Sequence, residues 1–155
     1  MHIKYFLTSV GILLLLGCFA PLHLYPVHGP LADQRSVPVI KGKATGWLSG
    51  SISFVLPDGE TCQGPWSPVS PNQVHQNALV ANASAAGDLS SAWNAVFGSG
   101  YYVANVLGAR QHGQAVLNGD RGTIIQLEFY RNTVENSPLL GIAKDSKGNI
   151  YKLSL

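Results

Sequence analysis

Apolar and polar positions divide the chain into three parts with different patterns. An apolar run at the amino terminus is followed by four prolines between positions 21 and 38, where neither helical nor strand periodicity is present. From residue 39, apolar and polar side chains alternate over short stretches, which is typical of half-buried β-strands. The pattern predicts a leader at residues 1–17, an extended tether at 18–38 and a β domain at 39–155.

The clearest β-hairpin lies near the start of the β domain. The sequence GSISFVL at 50–56 alternates, and PDGE follows it with a proline, an aspartate and a glycine that favour a reverse turn. The sequence ETCQGPW at 60–66 then supplies the returning strand. Further strands are predicted at 101–107, 110–118, 122–130, 139–143 and 150–155.

One short helix interrupts the strands. The sequence DLSSAWNAVFG at 88–98 begins with Asp88, which is a favourable N-cap, and ends with a glycine. Apolar side chains, Trp93 and Phe97 among them, recur at helical spacing on one face. At least six short strands and one helix predict a mainly β domain, either an antiparallel sandwich or a small closed barrel.

Alternation also assigns side chains to the faces of the strands. Ile125, Leu127 and Phe129 share one face, whereas Glu128 lies on the opposite face. We expect that face to be solvated, and an internal cavity is the alternative. Cys62 is four residues from Trp66 on the returning strand of the first hairpin. This spacing predicts a small core side chain beneath an aromatic ring.

Composition and charge exclude one class of partner. The net charge is only +2, and the basic residues form no concentrated stripe, so we expect no nucleic-acid partner. Charged residues make up 12% of the chain, well below the roughly 25% that is usual in globular domains. The 17 glycines and 9 prolines favour short strands and turns over long helices.

The first residues have the organisation of a secretory signal. The amino terminus and Lys4 supply positive charge, and an apolar core follows. Ordinary cleavage after the sequence CFA is disfavoured because Pro21 would follow the cut. Retention as a membrane anchor requires about 20 apolar residues, and the uncharged run from Tyr5 to Leu22 approaches this length. Lipid modification at Cys18 is the third fate.

The sequence LLGC at 15–18, at the end of the apolar core, resembles the lipobox of bacterial lipoproteins. The resemblance implies that the leader is cut before Cys18 and that this cysteine carries acyl chains that anchor the protein to a membrane. Phe19 stands where an aspartate favours retention in the inner membrane. The resemblance therefore implies the outer membrane of a Gram-negative cell, facing the periplasm or the surface. A disulfide between Cys18 and Cys62 is the competing use of the thiol.

The β domain is similar to small uncharacterised envelope lipoproteins of unknown activity. The similarity is carried by the blocks GSISFVLPDGETCQGPW, VLGAR, LNGDRGT and GIAKDSKGNIYKL. It supplies a location in the cell envelope and no catalytic residue.

The sequence carries no recognisable motif for catalysis, cofactor binding or metal binding. His75 and His112 are the histidines of the β domain, and no GxSxG nucleophile motif accompanies them. His23 and His28 have no neighbouring cysteine or carboxylate partner with metal-ligand spacing. We therefore predict no catalytic residue, no cofactor and no metal.

Aromatic side chains are the remaining candidates for binding. Trp66, Trp93, Tyr101 and Tyr102 define a candidate binding surface for carbohydrate or peptide, although core packing would also account for them. The sequence predicts a lipid-anchored envelope protein, held to the membrane through Cys18, that is a non-enzymatic binding or structural module. The alternatives are an inhibitor or a glycan- or peptide-binding module that acts on an envelope enzyme, with an envelope protein or glycan as its partner, and a hydrolase.

Overall fold

The chain forms a closed barrel of eight antiparallel strands, in which each strand pairs with the next and the last pairs with the first. The computed structural model describes residues 19–69, 89–131 and 138–154. The strands are β1 (Phe19–His28), β2 (Ile40–Thr45), β3 (Gly50–Val55), β4 (Thr61–Pro68), β5 (Gln111–Gly119), β6 (Ile124–Arg131), β7 (Leu139–Asp145) and β8 (Ile150–Ser154). A barrel is one of the two predicted architectures, and the mainly β class is confirmed.

The interior of the barrel is built from every second residue of the strands. Ile125 and Leu127 on β6 are fully buried, and Phe129 packs against the same apolar core. Cys62 on β4 is fully buried among the same side chains. The predicted shared face of β6 and the core position of Cys62 are therefore confirmed.

Strand β1 occupies residues 19–28 of the segment that the sequence predicts as an extended tether at 18–38. Between positions 20 and 26, its even-numbered residues are more buried than their odd-numbered neighbours, and Leu22 and Leu24 are buried in the barrel. Pro21 lies beyond the segment of β1 that pairs with β8, and Pro26 lies where that register shifts, so neither interrupts a regular ladder on both sides. The sequence of β1 does alternate between buried and more exposed positions, but its prolines favoured the prediction of an irregular tether.

Two glycines let large aromatic rings lie across neighbouring strands. Gly42 on β2 is directly opposite Phe54 on β3, and Gly113 on β5 is directly opposite Phe129 on β6. A Cβ atom on either glycine would collide with the ring opposite it. The glycines thus set how closely the two rings approach the barrel wall.

A helical layer covers part of the outer wall of the barrel. Helix α1 (Leu89–Phe97) packs mainly on β7 and also on β8, with Trp93 fully buried. The predicted helix is confirmed over these residues, whereas Asp88 lies outside the described ranges. None of the helices in the described ranges is long and apolar enough to cross a membrane.

The predicted strand at 101–107 is wrong, because a π-helix (Tyr102–Val106) occupies this segment. Gly98 and Gly100 precede it with φ of 109° and 80°, which reverses the chain after α1. The backbone N–H of Tyr102 then donates to Asn94 on α1, and Val106 is buried beneath the helical layer. The aromatic residues of this segment therefore pack against α1 instead of joining the sheet.

The two ends of the barrel differ. At one, which we call the closed end, the turns at 56–60, 119–123 and 145–149 meet around buried polar side chains. The carboxylate of Glu60 accepts hydrogen bonds from the backbone N–H and hydroxyl of Thr123, at 2.8 and 2.5 Å. The Lys147 ammonium donates to the same carboxylate at 3.1 Å. Glu60 therefore ties three turns together.

A second carboxylate joins the closed end to β8. Asp145 accepts hydrogen bonds from the side-chain amide of Asn149 at 2.8 Å and from the Tyr151 hydroxyl at 2.6 Å. Asn149 in turn accepts from the backbone N–H of Leu31, in the connection that follows β1. Burial and the bond to Asp145 raise the pKa of Tyr151. The first and last strands are thus linked by side chains as well as by the sheet.

Replacement of Glu60 should change how stability depends on pH. Hydrogen bonds from Thr123 hold the pKa of Glu60 to about 2, below its ordinary value of 4.5. A carboxylate with a lowered pKa in the folded state stabilises the fold above its ordinary pKa and loses that contribution as it is protonated. The deficit in unfolding free energy of Glu60→Gln against the wild type should therefore be largest near neutral pH and shrink between pH 4.5 and about 2.

The measurement is denaturant unfolding followed by tryptophan fluorescence across this pH range. Asp33→Asn, which removes an exposed acid from the connection between β1 and β2, is the matched control and should show no comparable change. A deficit for Glu60→Gln that is constant with pH would contradict the assignment.

Candidate functional site

The end of the barrel opposite the closed end, which we call the open end, contains a cavity of about 610 Å³. It lies where β1, β3, β5 and β7 begin and the other strands end. Its lining is mainly apolar and includes Leu22, Ala44, Ile52, Trp66, Phe129 and Leu139. The buried side chains of Leu22 and Ile52 belong to the core as well, so the cavity continues the apolar interior towards solvent.

Small side chains on adjacent strands leave this space open. Ala20 on β1 is paired with Ala44 on β2, and both line the cavity. Ala44 is in turn paired with Ile52 on β3. Larger side chains at the alanines would extend into the cavity, so the pair sets its width on that side.

Trp66 and Phe129 form the aromatic wall of the cavity. Their ring centroids are 5.7 Å apart and the planes meet at 66°, an edge-to-face contact. The indole N–H of Trp66 donates to the backbone carbonyl of Thr45 at 2.8 Å, which fixes the ring at the end of β2. A rigid aromatic side chain at the entrance therefore presents apolar surface to a ligand.

Two arginines give the rim of the cavity a positive charge. Arg110 and Arg131 line the cavity and are exposed. Among the described residues that line it there is no aspartate or glutamate. Because a guanidinium stays protonated and binds carboxylates and phosphates in a bidentate manner, this rim favours an anionic group. The site as a whole fits a ligand with an apolar body and an anionic end.

Exposed apolar side chains stand beside the entrance. Trp47 and Leu48, in the loop between β2 and β3, are 92% and 77% exposed. Gly46 begins this loop with φ of 89°, which favours glycine because an L side chain would be strained there. Phe19, opposite Thr45 at the start of β1, is 67% exposed. The open end thus carries both a cavity and an apolar edge.

A second polar cluster lies on the outer wall beneath α1. Glu128 is only 1% exposed, which corrects the prediction that it faces solvent. Its carboxylate accepts hydrogen bonds from the Trp93 indole at 2.5 Å and from Nε2 of His112 at 2.7 Å. Gln114 adds a weaker bond at 3.4 Å. Strand alternation does place Glu128 outside the barrel, but α1 covers that part of the wall.

The pairing of His112 with Glu128 has the residue types of a general base and the carboxylate that orients it. Both side chains, however, are buried, with 0% and 1% of their surface exposed. Nδ1 of His112 has no hydrogen-bond partner among the described residues. In this structure the pair holds α1 to the barrel wall, and neither side chain is accessible to a substrate.

The aromatic residues predicted to share a binding surface lie in two places. Trp66 lines the cavity, whereas Trp93 stacks on Tyr101 beneath the helical layer, with ring centroids 6.0 Å apart. Tyr102 is half-buried beside α1. Trp93 is fully buried, so it forms no part of an exposed surface.

Cys18 and His75 lie outside the described residues, and Cys62 is a buried free thiol whose pKa is raised to about 11 by burial. No group of three or more metal-ligating side chains occurs in the part of the chain that the structure describes.

Sequence reasoning missed Arg110, Arg131 and the exposed loop at the open end. The residues GWLS at 46–49 carried the only direct signal, because an apolar pair between turn residues is exposed by geometry. Arg110 directly precedes β5 and Arg131 ends β6, so the β5–β6 hairpin, in which Gln111 pairs with Arg131, brings them to the same end of the barrel.

Comparisons of this chain with protein-family models, curated proteins and solved structures find no match. The assignment of the site therefore rests on its own geometry.

Loss of the indole donor to Glu128 should destabilise the fold. Trp93→Phe keeps an aromatic ring beneath α1 but leaves one oxygen of a buried carboxylate unpaired, which costs about 1–3 kcal/mol of unfolding free energy. Urea unfolding of Trp93→Phe, Glu128→Leu and the double variant measures the coupling. The cost of Trp93→Phe should be clearly smaller when Glu128 is already replaced, and simple additivity would contradict the hydrogen-bond account.

Proposed function

We propose that the protein is a lipid-anchored protein of the cell envelope whose barrel binds an amphiphile without chemical conversion. The amphiphile has an apolar body, which the cavity would enclose, and an anionic group, which Arg110 and Arg131 would hold. The observation that carries this proposal is the apolar cavity with two arginines at its rim. It gives the predicted binding module a class of ligand.

The cavity has the size and chemistry that such a ligand requires. Its volume of about 610 Å³ lies within the roughly 300–1,000 Å³ typical of small-molecule sites. Removing apolar surface from water contributes about 25 cal/mol per Å² to binding, so an alkyl chain among Leu22, Leu139 and Phe129 would gain most from enclosure. The arginines would then select for a carboxylate, sulfate or phosphate.

The proposed location rests on the resemblance of residues 15–18 to a lipobox. Acyl chains on Cys18 would hold the mature protein at a membrane, which is the partner that the sequence implies. An anchored binding module also has a local supply of amphiphiles. The location and the ligand class therefore support one another.

Ligand binding can be tested by photolabelling the full chain in membranes with a fatty acid that carries an alkyl diazirine. Mass spectrometry should map the label to cavity residues such as Leu22 and Leu139. Ala44→Phe fills the entrance and should abolish this label, whereas Ala104→Phe makes the same change on the exposed π-helix and should not. Equal labelling in both variants, or label on the outer wall alone, would overturn the proposal.

The role of the arginines has a separate test with the same probe. Replacing Arg110 and Arg131 by Gln should reduce labelling by the fatty acid about tenfold, because charge-assisted hydrogen bonds are worth roughly 1.5–3 kcal/mol. Labelling by the corresponding diazirine alcohol should be almost unchanged. An equal loss for acid and alcohol would show that the arginines do not recognise the anionic group.

Lipid attachment can be tested by growing cells with radiolabelled palmitate. The wild type and Cys62→Ala should both incorporate the label, whereas Cys18→Ser should lose it, because only Cys18 lies in the lipobox-like sequence. Equal incorporation by Cys18→Ser would contradict the anchoring.

A further inference from the structure

We infer that the open end of the barrel is a membrane-contacting surface, with Phe19, Trp47 and Leu48 inserted at the interface of an anionic bilayer. The inference goes beyond ligand binding because it gives the barrel a defined orientation. It uses the proposed attachment at Cys18 as one of three supports. The other two come from exposed apolar surface and from charge.

The first support is the position of the exposed apolar side chains. Trp47 and Leu48 are the two most exposed large hydrophobic residues of the described chain, and both are in the loop from β2 to β3. Phe19 is directly opposite Thr45, the last residue of β2, so it stands at the base of the same loop. Contiguous exposed apolar surface of this kind marks an interaction site. Tryptophan in particular favours the headgroup region of a bilayer, where its ring is buried and its N–H stays hydrated.

The second support is the charge at the two ends. Arg110 and Arg131 are exposed at the open end. The closed end carries the carboxylates of Asp58, Glu60 and Asp145. Two bases face them, since Lys147 contacts Asp58 and Glu60 and Arg121 contacts Asp58, so acids outnumber bases in this cluster. A bilayer that contains anionic lipids attracts basic side chains near its surface. Electrostatics therefore turns the open end, and not the closed end, towards such a bilayer.

The third support is where the described chain begins. Phe19 is the first residue of β1, so Cys18 is one residue from the rim of the open end. One residue spans at most about 3.6 Å. Acyl chains on Cys18 would therefore leave no room for a long spacer between the bilayer and this end of the barrel. The same constraint makes the cavity accessible from the lipid side, so an amphiphile would enter it without crossing bulk water.

A bilayer fits this surface better than a second copy of the chain. Two open ends placed face to face would bring four arginines together, and these like charges would repel one another. In an anionic bilayer the same arginines meet phosphate groups. An anionic bilayer would thus contact both the apolar loop and the cationic rim favourably.

Depth-dependent fluorescence quenching tests this orientation. The full chain is reconstituted in phosphatidylethanolamine and phosphatidylglycerol vesicles whose lipids carry bromine either near the glycerol or near the chain terminus. Trp47 should be quenched more strongly by the shallow bromine, and Trp47→Phe should lose most of that quenching. The matched control is Val103→Trp in the Trp47→Phe background, which places an exposed indole on the helical layer. This indole should be quenched by aqueous acrylamide and not by brominated lipid.

Two results would overturn the inference. Quenching of Trp47 by acrylamide and not by brominated lipid would mean that the open end faces water. Protection of Trp47 from both quenchers would mean that a second copy or an envelope protein covers it. Photolabelling of the cavity is a separate measurement, so it can support the amphiphile site even if the quenching results contradict the proposed orientation.

Replacing Arg110 and Arg131 by Gln should weaken lipid quenching in anionic vesicles and leave it unchanged in neutral ones.

Discussion

Pairing of β1 with β8 closes the sheet, and the interior of the protein follows from that closure. An eight-stranded barrel is just wide enough to be filled by side chains or to hold one small ligand. In this chain, Leu24, Phe54, Leu117 and Ile125 are among the side chains that fill one part, and the part near Ala20 and Ala44 stays open. This packing requires Gly42 and Gly113. The rings of Phe54 and Phe129 fit only because the residue opposite each of them lacks a side chain. The cavity is therefore a product of closure and of where small residues fall on the strands.

The two ends of the barrel differ in their side-chain contacts. At the closed end, Glu60 and Asp145 hold turns together through hydrogen bonds to Thr123, Asn149 and Tyr151. At the open end, Trp66 secures the end of β2 while the apolar cavity remains accessible. On the outer wall, the hydrogen bonds of Glu128 fix α1 in place without adding an accessible polar site.

Much of the fold can be predicted from local sequence patterns. The alternation and turn residues of β3 and β4 predict their hairpin, and the shared face of Ile125 and Leu127 follows from a period of two. Strand β1 is not predicted from the sequence because Pro21 and Pro26 disfavour a regular strand. In the structure, Pro21 lies beyond the residues that pair with β8, and Pro26 lies where that register shifts. The burial of Glu128 and the π-helix at Tyr102–Val106 depend on contacts with α1. The predicted β5–β6 hairpin already brings Arg110 and Arg131 to one end, but only the closed barrel places the apolar cavity beside them.

The central claim is that the cavity at the open end holds the tail of an anionic amphiphile. NMR contacts between a carbon-13-labelled fatty acid and the full chain in lipid bilayers test this claim most directly. The account predicts contacts from the chain methylenes to Leu22, Phe129 and Leu139, and from the carboxyl end to Arg110 or Arg131. Contacts confined to exposed outer side chains such as Val103 and Val116 would contradict it.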